Sequence, residues 1–109
     1  MSSLVFIYTT FSSSGEAKKI SEWLLNDKLV VCVNIFPEVN SLYLWEGKIN
    51  NSCEVVTVMK TMDDKVDRII DKIESMHSYD KPVIAVVPIG RANKSFTNWA
   101  NNVIGVRDI

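Results

Sequence analysis

A single α+β domain is predicted by two observations. Apolar runs of strand length alternate with stretches of helical periodicity, and no repeat, linker or low-complexity segment divides the 109 residues. A third observation bears on assembly: residues 41–49 read Ser-Leu-Tyr-Leu-Trp-Glu-Gly-Lys-Ile. In a strand, Leu42 and Leu44 point one way and Tyr43 and Trp45 the other, so both faces are apolar. A chain of this size covers one sheet face with its own helices and has little left for the second, which a further copy of the chain is expected to cover.

Leu4 to Tyr8 is a short apolar run ending at Thr9-Thr10, which predicts a buried first strand. Ser12, Ser13, Ser14 and Gly15 then offer N-cap residues, and Glu16 supplies first-turn negative charge. Ala17, Ile20, Trp23 and Leu24 recur at helical spacing to about Asp27. Leu29 to Phe36 is β-branched and apolar, as a central strand should be. Pro37 interrupts it, because proline cannot donate to a ladder, and a bend or bulge is expected there. The next tight turn is expected around Asn50-Asn51, since asparagine tolerates the left-handed conformation, giving a hairpin over residues 47–53.

Beyond it Cys53, Val55, Thr57 and Met59 alternate with Glu54, Val56, Val58 and Lys60, so Lys60 shares a face with two valines and Glu54. Asp63 and Asp64 start a second helix, whose apolar stripe is Val66, Ile69, Ile70, Ile73 and Met76. Pro82 to Ile89 is a fourth strand. Phe96, Trp99, Ala100, Val103 and Ile104 make a short C-terminal helix. The order strand, helix, long bent strand, hairpin return, helix, strand is that of a ferredoxin-like, split βαβ fold with an extra C-terminal helix. Residues 30–37 and 41–49 read equally as two separate antiparallel strands, which would reverse every later element.

Lys plus Arg is 12 against 13 for Asp plus Glu, which leaves no basic excess for nucleic acid or acidic membrane surfaces. The longest apolar runs fall short of the roughly 18 residues a membrane span needs, and the N-terminus lacks a basic region followed by a long apolar stretch. A cytoplasmic protein is expected. Cys32 and Cys53 lie in strand patterns without a pairing signature and are expected as reduced, mostly buried thiols. Cys32 has no base beside it in sequence and no acid–base pair stands out, so an enzyme is not expected.

The ordered set Val30, Val31, Cys32, Val33, Asn34, then Pro37, then Ser41-x-Tyr43-x-Trp45-x-Gly47-x-Ile49, then Glu54 and Lys60-Thr61 resembles the CutA family of divalent-cation tolerance proteins. The resemblance continues through His77-Ser78-Tyr79-Asp80-x-Pro82 to Phe96 and Trp99. It implies one long bent strand in place of two, and a homotrimer in which Leu42, Tyr43, Leu44 and Trp45 lie at the subunit interface. It also implies an intersubunit cleft to which Lys60, Tyr43, Trp45, Glu54, His77 and Tyr79 contribute. That architecture is shared with trimeric PII-type signalling proteins, so a sensor of a small anionic ligand is the alternative reading. Some family members carry copper-ligand candidates at the places of Tyr8 and Met76; here His77, Cys32 and Met76 remain as soft or borderline donors, implying weak binding of copper or another divalent metal. The plain reading of His77, the only histidine, is a residue at a helix C-terminus that reaches a backbone carbonyl.

Overall fold

The computed structural model describes residues 3–105. Strand β1 is Leu4–Phe11, helix α1 Ser14–Asn26, strand β2 Cys32–Trp45, strand β3 Lys48–Met62, helix α2 Val66–Met76, strand β4 Ile84–Pro88 and helix α3 Lys94–Ala100. A 3₁₀ turn at Asp63–Lys65 leads into α2 and a π-helical turn at Asn101–Gly105 follows α3. The sheet is antiparallel in the order β2-β3-β1-β4. This is the α+β, split βαβ arrangement expected, with one long bent second strand and the extra C-terminal helix.

Helix α1 starts and stops for local reasons. The Ser13 hydroxyl accepts from the Glu16 amide at 3.1 Å, and Lys28 closes the far end in the left-handed region at φ 58°. Ala17, Ile20 and Leu24 of α1 pack with Ile69 and Ile73 of α2 on Ile7, Phe11, Val55 and Met59 of the sheet. A second cluster of Leu4, Val31, Met62, Ala100 and Ile104 lies under α3 on the opposite face, where Cys32 and Phe96 join it. The α3 segment covers only one end of that face. Tyr8, Phe36 and Val87 remain exposed beyond it.

Pro37 acts as expected. From Phe36↔Val56 to Val39↔Glu54, β2 advances three residues while β3 advances two, so one extra residue is accommodated as a bulge. Because facing residues in a ladder share a face, the bulge puts Val39, Ser41, Tyr43 and Trp45 beside the even-numbered residues of β3.

The turn itself differs from the expectation. It is Glu46-Gly47, both at positive φ (51° and 77°), while Asn50 and Asn51 pair in the ladder with Tyr43 and Leu42. Glycine bears the left-handed conformation without a Cβ penalty, which outweighs the milder tolerance of two asparagines. The 15 residues of β3, at about 3.3 Å each, account for the 49 Å length of the molecule.

Candidate functional site

The chain leaving α2 is fastened by side chains from three elements. His77 caps the helix, its amide donating to the Ile73 carbonyl at 2.9 Å. Its buried ring stacks on Phe11 with centroids 4.7 Å apart and planes 10° apart. The Tyr79 amide donates to Nδ1 at 3.0 Å, and Nε2 lies 2.7 Å from the Thr10 carbonyl. Since an amide can only donate, Nδ1 accepts and Nε2–H donates, which defines the tautomer. Glu16 of α1 accepts from the Ser78 amide at 2.7 Å and from its hydroxyl at 3.0 Å, and lies 3.8 Å from Nδ1. Burial pushes the Glu16 carboxyl up, but the two Ser78 bonds, with lesser help from the neighbouring His77 ring and the Ser12 hydroxyl, hold it below its ordinary value.

This fastening delivers Tyr79 to the sheet. Its hydroxyl donates to Glu54 Oε2 at 2.7 Å, and burial, followed by the bond to Glu54 and its negative charge, pushes the phenol well above its usual range. The hydroxyl is therefore a permanent donor. Between the hairpin and the loop before β4 lies an open cleft of about 950 Å³, whose lining includes Tyr43, Trp45, Glu54, Tyr79, Asp80 and Lys81. The bulge in β2 is what places the two hairpin aromatics on the Glu54 side.

Residues 5–103 match the family described as CutA1 divalent ion tolerance protein. The chain is 41% identical over 99 residues to the divalent-cation tolerance protein CutA of Archaeoglobus fulgidus, covering 91% of this chain and 96% of that one. The protein belongs to the CutA family. The solved structure of divalent ion tolerance protein CutA1 from Ehrlichia chaffeensis superposes with a TM-score of 0.91 at 36% identity, over 97% of this chain and 99% of that one. The periplasmic divalent cation tolerance protein CutA structure from Archaeoglobus fulgidus gives 0.89 at 40% identity, over 93% and 98%.

Within this CutA-family chain the residues expected at the cleft divide into two groups. Tyr43, Trp45, Glu54 and Tyr79 converge on it. His77 stands behind Tyr79 with both ring nitrogens occupied, and Lys60 is six ladder positions from Glu54, about 20 Å along β3. Lys60 instead pairs in register with Cys32 and Phe6, its Nζ 5.9 Å from the Phe96 ring centre. Thr61, beside it, is buried and donates to the Leu29 carbonyl at 2.6 Å.

The expected metal donors do not converge within this chain. Cys32 packs on the cluster under α3, whereas Met76 packs against the cluster under α1 and α2, across the sheet. The His77 nitrogens are spent on hydrogen bonds. Among the described residues no three His, Cys, Asp or Glu side chains gather at metal-binding distance.

Glu16, Ser78, Thr10, Asp80 and Lys81 are among the participants that sequence reasoning did not assign to the site. Glu16 reads as an ordinary first-turn carboxylate, and nothing in its spacing points to residues 77–79. Asp80 lies within the family motif, which is the signal that could have found it.

Proposed function

We propose that this CutA-family chain, as one domain over residues 1–109, acts as a non-catalytic homotrimer in divalent-cation tolerance. The observation that carries the reading is the hairpin beyond the bulge, where Leu42, Leu44, Trp45 and Ile49 are 69, 76, 62 and 77% exposed. An apolar cluster on both faces of a projecting ribbon requires a partner surface, and the family resemblance supplies three identical subunits. Tyr43 and Trp45 would then serve the interface and border the cleft together.

Copper or another divalent metal binds weakly in this reading, because Cys32, Met76 and His77 do not converge. The cytoplasm is the proposed compartment; among the described residues no helix is long and apolar enough to cross a membrane. Nucleic acid is not a partner in this account, since its net charge of −1 gives no electrostatic footprint. Light scattering after gel filtration tests the assembly. A mass of three times 12.3 kDa is expected, and a monomer at low micromolar concentration would overturn the reading.

A trimeric sensor of PII-like design is the second reading, favoured by the size and mixed polar and aromatic lining of the cleft. The anionic ligand expected from the sequence would have to meet a Lys60 supplied by a neighbouring copy, because the protomer's own Lys60 lies too far along β3.

A further inference from the structure

The charge of the cleft points to a different ligand class. Of the charged lining residues this chain supplies, Glu54 and Asp80 are carboxylates and Lys81 is the one ammonium among the described residues. The Tyr79 hydroxyl occupies Glu54 Oε2 and leaves Oε1 able to accept another donor. Tyr43 and Trp45 add aromatic faces, which attract ammonium and guanidinium groups through the ring quadrupole. In the single chain the cleft measures about 950 Å³, which is ample for a small organic molecule beside a neighbouring subunit's surface.

We propose that this cleft binds a small organic cation with a primary ammonium or guanidinium head, Glu54 and Asp80 supplying the counter-charge and Tyr43 and Trp45 the apolar walls. The inference rests on the reading of the cleft as a ligand site. A bare divalent ion suits it less. Among the described residues no three His, Cys, Asp or Glu side chains gather to hold one, and of the two carboxylates lining this cleft one oxygen is already taken by Tyr79. An anion suits this chain's share of the cleft less again, since Lys81 is the one lining cation it sets against both carboxylates among the described residues. The amine donates to Glu54 Oε1 while its carbon chain lies along the aromatic walls.

Calorimetry of the full chain with agmatine, which carries both head groups, tests this, with citrate and zinc as comparison titrants. Saturable agmatine binding is expected, weakened about tenfold or more by Glu54→Gln and by Asp80→Asn, each checked for an unchanged circular dichroism spectrum. Absence of agmatine binding to the folded parent protein would overturn the proposal. So would agmatine affinity that is the same in both variants, or citrate or zinc binding through Glu54 where agmatine fails. Light scattering on the same samples separates the two readings. A trimer that ignores agmatine defeats the cation site alone, and a monomer that binds it through Glu54 defeats only the assembly.

Discussion

Glu16 shows how one carboxylate can hold a loop that lies 62 residues away in sequence. With its folded pKa held below the ordinary 4.5, Glu16 contributes stability that is full above that value and lost as pH falls through the lower folded value. Urea midpoints measured at falling pH should therefore drop more steeply for the parent than for Glu16→Gln. Equal slopes would show that the Ser78 bonds contribute nothing to folding. Lys60 makes the opposite case. The half-buried residue faces Cys32 and Phe6 in the ladder, its ammonium is 5.9 Å from the Phe96 ring centre, and among the described residues it has no ion pair. Lys60→Met should be neutral or stabilising, by up to about 1 kcal/mol, because an unbranched apolar chain replaces an uncompensated charge. A loss of more than that in chemical denaturation would reveal a partner for the ammonium.

At the scale of the element, the hairpin turn concentrates its conformational cost in two residues. Both central positions are left-handed, yet a Cβ at Gly47 would meet nothing within 4 Å. Gly47→Val should therefore destabilise by about 1–2 kcal/mol through backbone strain alone, without disturbing the core. Equilibrium unfolding checks the magnitude, and an unchanged midpoint would mean that the turn relaxes into another type. The Pro37 bulge matters in a different way. It inserts one residue into β2 alone, and a one-residue change of register exchanges the faces of every later side chain on that strand. Without it Leu42 and Leu44, not Tyr43 and Trp45, would border the cleft.

For the whole molecule, the two tryptophans separate folding from assembly. Trp23 lies on α1 beneath the ammonium of Lys72, 3.9 Å from the ring centre, so it has a partner within its own chain. Trp45 is on the exposed hairpin and has none of the core clusters against it. Trp45→Ala should shift the mass distribution toward monomer at concentrations where Trp23→Ala does not, as sedimentation velocity would show. Equal effects would remove the hairpin from the interface.

The sequence by itself determined the α+β class, the element order, both long helices and the bend at Pro37, because periodicity, caps and proline stereochemistry act over a few residues. It also carried the family, through an ordered set of motifs, and the aromatic half of the cleft. It misplaced the hairpin turn by weighing two asparagines over one glycine. Only the tertiary structure decided that His77 stacks on Phe11 and reaches the Thr10 carbonyl, that Lys60 lies far from Glu54, and that Cys32 and Met76 are on opposite sides of the sheet. Those outcomes depend on strand register and on which face a helix end meets. Both are fixed by contacts between residues distant in the chain, where local spacing holds no information.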